Sequence, residues 1–304
     1  MAVPIVHHPA YTMPLPHRRG FPMGKYEALI QLLRHQGLAT AQTLHEPDLA
    51  ARWWLGLAHD GDYVDAILDQ SADDGVMRRI GLPLSAQLAV RSQAAVGGTV
   101  LAARLALQRG IACNSAGGSH HAASGHGAGY CVFNDVAVAA RVLQSMGLAM
   151  NMLVIDLDVH QGDGTAEIFR GDGAVYTFSM HCADNFPVRK QPGDRDVGLP
   201  VGLGDEEYLE ILGGHLSELL SELRPDLVFY NAGVDPHHDD RLGKLSLSDD
   251  GLARREDMVI RACVDRAIPI ACVLGGGYDH DAGLLAQRHG LLYAAADHCY
   301  RDLT

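Results

Sequence analysis

The stretch MLVIDLDVHQGDGT, residues Met152–Thr165, joins an apolar run to a group of acids and a histidine. Asp156, Asp158 and His160 follow that run at a spacing of two residues, and Asp163 comes three residues later. The apolar run predicts a buried β-strand, in which alternate residues share a face. If the strand continues to His160, two carboxylates and an imidazole lie on one face, which is unfavourable in a core without a cation. This combination suits a catalytic first-row metal, Zn²⁺ or Fe²⁺.

The rest of the chain has the pattern of a parallel α/β sheet, in which short apolar runs alternate with helical segments. The runs that predict strands are VPIVHHP, IACNS, MLVIDLDVH, AVYTFSMH, DLVFYNAG and IPIACVLGGGY. The Ala-rich segment 84–110 predicts a helix in two pieces, broken near Gly97 and Gly98, because glycine is a poor helix former. No linker, repeat or shift in composition divides the chain, so residues 1–304 are predicted to form one domain.

Polar residues follow five of these predicted strands at their carboxyl ends. In chain order they are His120 and His121, Asp158 and His160, Ser179 and His181, Asp235, and Tyr278 after three glycines. In open α/β sheets, ligands bind at this edge. A solvated loop or a tight turn explains each group taken alone, and is favoured for a lone D-x-D-x-H motif or tandem histidine. Five groups at one edge instead predict an active site, with Asp235 as a further oxygen ligand for the metal.

Composition excludes several classes of protein. The chain is 47% hydrophobic and 20% charged, which is typical of a soluble globular protein. A formal net charge of −13 without a basic stripe argues against a nucleic-acid partner. The sequence has neither an uncharged apolar stretch of about 18 residues nor the order of a signal peptide, so we expect no membrane span. Six scattered cysteines without a C-x-x-C pair are typical of reduced thiols, and the protein is predicted to be cytoplasmic.

The successive motifs resemble those of a known family, the histone deacetylase superfamily. The motifs that carry the resemblance are GGSHHA, GHGAGYCVFNDVAVAA, VIDLDVHQGDGT, YTFSMH, VFYNAGVD and VLGGGY, in that order. The stretches GDEEYL and DRLGKLSLS are most similar to class IV members and their bacterial relatives. The resemblance covers most of the chain. It implies a single-domain, three-layer α/β/α fold with a central, mainly parallel eight-stranded sheet of the arginase/deacetylase type.

The resemblance also implies roles for the residues at the sheet edge. The implied zinc ligands are Asp158, His160 and Asp235. The implied catalytic residues are His120, His121, Tyr278, Asp156 and Asp163. In this assignment Asp156 and Asp163 orient the tandem histidines, and Tyr278 polarises the amide carbonyl. Asp156 is therefore not expected to bind zinc, although it precedes the first ligand by only two residues.

Further implied sites concern a second cation, the substrate and the product. The implied structural K⁺ site consists of Asp156, Asp158 and Ser179. The implied substrate-binding residues are Gly129, Tyr130, Phe186 and Leu242. Gly129 would accept the amide N–H of the substrate, and Leu242 stands roughly where polyamine deacetylases carry a glutamate. Gly81 stands where many members carry an aspartate that clamps a peptide substrate. The candidates for a cation near the product channel are Arg18, Arg19 and Lys25.

The sequence thus predicts a zinc-dependent amidohydrolase that removes an acyl group, acetyl or longer, from lysine Nε of a protein or peptide. A deacetylase of small acylated amines or polyamines is the alternative, which Leu242 disfavours. A binuclear-manganese ureohydrolase of the same fold would need a D-x-D pair that is missing around Asp235. A non-catalytic acyl-lysine binder is disfavoured because the ligands, the tandem histidines and Tyr278 are all present. The oligomeric state stays open.

Overall fold

The fold is built on one sheet of eight parallel strands with helices on both faces. The computed structural model describes residues 2–15 and 20–303, so Arg18 and Arg19 lie outside the described residues. The strands are β1 (Ile5–Val6), β2 (Leu44–His45), β3 (Ile111–Asn114), β4 (Met152–Asp156), β5 (Val175–Cys182), β6 (Arg195–Leu199), β7 (Leu227–Asn231) and β8 (Ile270–Val273). Their order across the sheet is β2-β1-β3-β8-β7-β4-β5-β6. The predicted three-layer α/β fold with an eight-stranded sheet is therefore confirmed.

Helices connect the strands and cover both faces of the sheet. After a short 3₁₀ helix (Pro9–Tyr11), they are α1 (Lys25–His35), α2 (Arg52–Leu55), α3 (Gly61–Leu68), α4 (Asp74–Ile80), α5 (Ala86–Arg109), α6 (Asp135–Ser145), α7 (Asp163–Ile168), α8 (Asp205–Leu223), α9 (Asp249–Val264) and α10 (Ala282–Leu303). Ser85, Asn134 and Ser248 cap α5, α6 and α9, since each side chain accepts a hydrogen bond from the backbone N–H three residues on. The caps fix where these long helices begin.

The predicted break in the Ala-rich helix is wrong, because α5 runs without interruption through both glycines. A Cβ at Gly97 would overlap the backbone oxygen of Asp48, and one at Gly98 would overlap the hydroxyl of Tyr11. The two glycines therefore let other segments approach the helix closely. The fold depends on the absence of a side chain at these two glycines and not on their conformational freedom.

The strand β4, which begins the stretch Met152–Thr165, is an interior strand of the sheet. All five residues of β4 are buried, and it pairs with β5 on one side and β7 on the other. The strand ends at Asp156, so it does not continue to His160, and the condition under which its pleat would set Asp156, Asp158 and His160 on one face is not met. Beyond the strand, the backbone N–H of Leu157 still bonds to the oxygen of Asn231, at 3.1 Å. The bend at residues 158–160, which follows the strand, brings the two acids and the histidine together instead.

Across residues 2–15 and 20–303, every helix is either too short or too polar to cross a bilayer.

His59 is a buried histidine whose protonation should destabilise the fold. Its Nδ1 lies 2.9 Å from the oxygen of Ala123, and its Nε2 accepts the N–H of Asn134 at 2.9 Å. Burial lowers the pKa of His59 from 6.5 to about 4. The unfolded chain therefore takes up this proton first as the pH falls. His59 contributes stability that is present above pH 6.5 and is lost toward pH 4, up to roughly 3 kcal/mol.

We expect the variant His59→Gln to lose less of its free energy of unfolding between pH 7 and pH 4.5 than the parent does. The measurement is urea denaturation at both pH values. His35→Gln, a change at an exposed histidine of α1, is the control and should behave as the parent. If the parent and His59→Gln lose the same free energy of unfolding between pH 7 and pH 4.5, protonation of His59 does not limit stability.

Candidate active site

The polar groups predicted at the sheet edge lie together in the structure. The strands that precede them, β3, β8, β7, β4 and β5, are consecutive neighbours in the sheet. Asp158 and His160 lie in the turn directly after β4, and Asp235 lies four residues after β7. Tyr278 lies five residues after β8. Because all the strands are parallel, their carboxyl ends form one continuous rim.

Two histidines are each paired with a carboxylate. Nδ1 of His120 lies 2.7 Å from Oδ2 of Asp156, and Nδ1 of His121 lies 2.6 Å from Oδ1 of Asp163. The centroids of the two imidazole rings are 4.1 Å apart. Asp156 also accepts a hydrogen bond from Nδ2 of Asn231, at 2.9 Å. Each carboxylate therefore occupies Nδ1 and fixes the orientation of one ring. Nε2 of His120 lies 3.8 Å from Oδ1 of Asp158.

The pKa values of these two histidines move in opposite directions. Burial disfavours the charged form of His120, but the carboxylates of Asp156 and Asp158 outweigh it and raise the pKa to about 9. For His121, burial and the charge on its histidine neighbour lower the pKa to about 4, against the effect of Asp163. Neighbouring groups with separated pKa values are typical of acid–base sites.

Asp158, His160 and Asp235 form a buried group that could hold a metal ion. One ligand atom from each residue lies within 4.8 Å of the others. Nδ1 of His160 is 3.0 Å from Oδ1 of Asp158 and 3.2 Å from Oδ2 of Asp235. Within the described part of the chain, Oδ2 of Asp235 is buried and has no hydrogen-bond donor. Two buried acids, one of them with an orphaned oxygen, and an imidazole fit a divalent cation.

The GGGY turn after β8 makes room for this group. A Cβ at Gly276 would overlap Oδ2 of Asp235 and would lie 2.6 Å from Oδ2 of Asp158. The N–H of Gly276 donates to Oδ2 of Asp158 at 2.7 Å. The glycine is therefore required for the close approach of backbone to both carboxylates.

Tyr278 is buried beside the same group, with its ring centroid 6.0 Å from that of His160. Its backbone N–H donates to Oδ2 of Asp240 at 2.7 Å. Oδ1 of Asp240 accepts the N–H groups of Leu242 and Gly243, both at 2.9 Å. The carboxylate of Asp240 thus ties the tyrosine to the loop that follows Asp235.

A cavity of about 540 Å³ opens beside these residues. Its walls include all four predicted substrate residues, Gly129, Tyr130, Phe186 and Leu242, together with His121, His160 and Tyr278. The ring of Phe186 stands edge-on to that of His121, with centroids 4.8 Å apart. A Cβ at Gly81 would lie 3.2 Å from the ring of Tyr130, so this tyrosine fills the space beside the glycine.

Two further predicted positions, Ser179 and Lys25, lie close to this centre. Ser179 stands opposite Asp156 in the pairing of β5 with β4, and its hydroxyl lies 2.9 Å from Nδ1 of His181. Lys25 is buried, and its ammonium group donates to the oxygen of Gly275 at 3.0 Å. Burial lowers the pKa of Lys25 to about 8.

Sequence reasoning missed two buried acids that support the site. Asp135 accepts the N–H groups of Ser119 and Gly118, and so holds the loop before the tandem histidines. Asp240 holds Tyr278 in the same way. The only signals in the sequence were the start of a helix at Asp135 and an acid in a turn at Asp240, and neither indicates burial.

Comparison with known proteins agrees with the motifs. The histone deacetylase domain model matches residues 20–289. An uncharacterized protein of Picosynechococcus sp. is 51% identical over 99% of this chain and 100% of its own length. Histone deacetylase 2 of Arabidopsis thaliana is 29% identical over 85% of this chain and 69% of its own. A probable deacetylase of Archaeoglobus fulgidus is 29% identical over 87% of this chain and 77% of its own.

A solved structure supports the fold. The crystal structure of the HDA15 HD domain matches with a TM-score of 0.78 at 22% identity, over 99% of this chain and 93% of that one. The predicted resemblance is confirmed, and the named relatives support a deacetylase activity, the hydrolysis of an amide. The chain belongs to the histone deacetylase family.

Proposed function

We propose that this chain is a zinc-dependent amidohydrolase that removes an acyl group, acetyl or longer, from lysine Nε of proteins or peptides. The observation that carries the proposal is the meeting of three groups at one cavity. They are the Asp158–His160–Asp235 group, which supplies His160 to the cavity wall, the two Asp–His pairs, which supply His121, and Tyr278. The fold alone would allow other chemistry, so the proposal depends on this site.

Asp158, His160 and Asp235 would hold the metal ion, Zn²⁺ or, as the alternative, Fe²⁺. When bound, the ion supplies Lewis acidity that polarises the amide carbonyl and lowers the pKa of water. Two carboxylates match the charge of a divalent cation, and a histidine with two oxygen ligands is typical of a catalytic site. The second pair of acids that a binuclear centre needs is not part of this group.

The chain's own residues would move the protons. His121 is neutral at neutral pH, and its Nε2 would take a proton from the attacking water, since Nδ1 is occupied by Asp163. The same proton would then pass to the departing amine nitrogen as the C–N bond breaks. His120, held by Asp156, and the hydroxyl of Tyr278 would stabilise negative charge on the carbonyl oxygen.

The cavity walls suit an acyl-lysine side chain. Tyr130 and Phe186 present rings to the cavity, and Gly129 lies beside His121 with the backbone in the left-handed region, φ 52°. We propose that the oxygen of Gly129 accepts the amide N–H of the substrate. Leu242, half-exposed at the cavity, offers no charge to a second amine. Small acylated amines remain the alternative substrate class.

Further assignments complete the proposal. Asp156, Asp158 and Ser179 would form a structural K⁺ site, supported by the pairing of β4 with β5 that sets Asp156 opposite Ser179.

Residues 1–304 would be one catalytic domain most similar to class IV, with no nucleic-acid partner. All six cysteines are free and buried, which supports a cytoplasmic location.

The test is turnover by the zinc-loaded protein on lysine peptides that carry acetyl, hydroxyacyl or long fatty acyl groups, with acetylputrescine as a small amine. We expect release from at least one peptide, lost on chelation and restored by Zn²⁺. Release from acetylputrescine alone would move the substrate to small amines. A zinc-bound protein that turns over none of them would overturn the proposal in favour of an acyl-lysine binder.

A further inference from the structure

Helix α9 buries an arginine that contacts both backbone segments of the proposed metal centre. The side chain of Arg255 is fully buried, 0% exposed. Its Nη1 donates to the oxygen of Leu157 at 3.2 Å and to the oxygen of Gly233 at 2.8 Å. Leu157 directly precedes Asp158, and Gly233 lies two residues before Asp235. One nitrogen atom therefore joins the two ligand-bearing segments.

The guanidinium is itself held in place on its other side. Its Nη2 pairs with Oε1 of Glu256, and Oε2 of Glu256 accepts the hydroxyl of Tyr230 at 2.6 Å. Glu256 is 1% exposed and Tyr230 is 0% exposed. A buried ion pair adds little net stability compared with apolar residues of the same size. The contacts of Arg255 with the two ligand-bearing segments therefore explain its burial better than a gain in stability does.

The two segments lie beyond the strand ladder. β4 ends at Asp156 and β7 ends at Asn231, and the bond from the N–H of Leu157 to the oxygen of Asn231 continues their pairing by one step. Beyond it the segments are held by other contacts, among them the N–H of Val159 on Oδ1 of Asp235 at 2.9 Å. The segments also touch, because a Cβ at Gly233 would lie 2.9 Å from Cα of Asp158. A small displacement of one segment against the other would change the separation of the carboxylates of Asp158 and Asp235.

We propose that Arg255 is a positioning residue that holds these two segments at the separation at which Asp158, His160 and Asp235 can share one ion. The inference rests on the proposed function, in that these three residues bind the metal. A planar guanidinium can serve two carbonyls with one nitrogen and a carboxylate with the other. An ammonium group cannot reproduce that fork. Loss of such outer contacts typically weakens metal affinity by about 10- to 100-fold.

The test compares metal binding in matched variants. Arg255→Met with Glu256→Gln removes both charges, so no unpaired carboxylate is left in the core, and the new amide oxygen can still accept the hydroxyl of Tyr230. Arg255→Lys keeps the charge and removes the fork. Arg254→Met is the control, because this neighbouring arginine is 44% exposed and pairs with Glu206 at the surface.

The measurements are the Kd values of the metal-free proteins for Zn²⁺ and Co²⁺, the absorption spectrum with Co²⁺ bound, and thermal unfolding without metal. We expect the double variant to unfold cooperatively, to bind both ions about 10- to 100-fold more weakly than the parent, and to have an altered Co²⁺ spectrum. We expect Arg255→Lys to be weakened as well, and Arg254→Met to match the parent.

A folded double variant with the parental Kd and spectrum would overturn the inference. If the double variant does not fold, the Kd of Arg255→Lys tests the inference instead. A parental Kd in Arg255→Lys would equally overturn the inference. A parent protein that binds neither ion would instead refute the proposed metal centre, and the role of Arg255 with it. That outcome differs from the one that overturns only the role of Arg255, in which the parent binds the ions tightly and the variants bind them equally tightly.

Discussion

Asp235→Asn is expected to abolish metal binding and amide hydrolysis together. Asp235 is 0% exposed, and its Oδ2, which faces His160 at 3.2 Å, is the orphaned oxygen of the group. Asparagine replaces one acidic oxygen with a poor ligand and removes a negative charge that a divalent cation needs. The loss of affinity should exceed the roughly 10- to 100-fold that follows loss of an outer contact. kcat/KM should fall by more than about 10³-fold.

The same substitution is expected to have the opposite effect on the metal-free protein. Burial and the neighbouring carboxylate of Asp158 raise the pKa of Asp235 to about 7, so its charge is unfavourable when no cation is present. Asparagine removes that charge and can still accept the N–H of Val159, which bonds to Oδ1 at 2.9 Å. Without metal, Asp235→Asn should therefore be at least as stable as the parent.

Thermal unfolding with and without Zn²⁺ measures both effects. The parent should gain stability with Zn²⁺, because a ligand that binds only the folded state stabilises it. Asp235→Asn should gain none, whereas Asp250→Asn, at an exposed position of α9, should behave as the parent. A zinc-dependent rise in Tm of parental size in Asp235→Asn would show that the ion binds elsewhere.

The place of the site could be predicted because it depends on regular features of the sequence. Apolar runs mark buried parallel strands, and the carboxyl ends of such strands meet at one rim. Asp158 and Tyr278 are 120 positions apart in the chain, yet both follow strands of this kind. The resemblance added the roles of individual residues, which no periodicity provides.

Features that depend on distant contacts could not be predicted. The glycines inside α5 suggest a break until the backbone at Asp48 is seen to occupy the space beside Gly97. The strand β2 has two residues, and β6 alternates half-buried and exposed positions before the buried Leu199, so neither has a strong apolar run. Arg254 and Arg255 are adjacent in a charged stretch, yet only the second is buried. Burial of a charge is decided by its tertiary partners.

Tyr278→Phe is expected to lower kcat by about 10²- to 10³-fold with little change in KM. Burial, followed by the charges of Asp158 and Asp235, raises the pKa of Tyr278 well above its ordinary value. The phenol is therefore protonated at neutral pH and can donate to a developing negative charge. Because that charge appears in the transition state, loss of the hydroxyl should affect turnover more than substrate binding.

The phenylalanine variant isolates the hydroxyl because the ring contacts are kept. The Tyr278 ring lies 6.0 Å from the rings of His160 and Tyr130, and the backbone contact to Asp240 does not involve the side chain. Zinc content and Tm should match the parent, as should all properties of Tyr176→Phe, at the opposite end of the sheet. Steady-state kinetics on the best acyl-lysine peptide measure kcat and KM of the parent and of Tyr278→Phe. A rise in KM at constant kcat would make Tyr278 a binding residue, and no change would leave the stabilisation of charge to the metal and His120 alone.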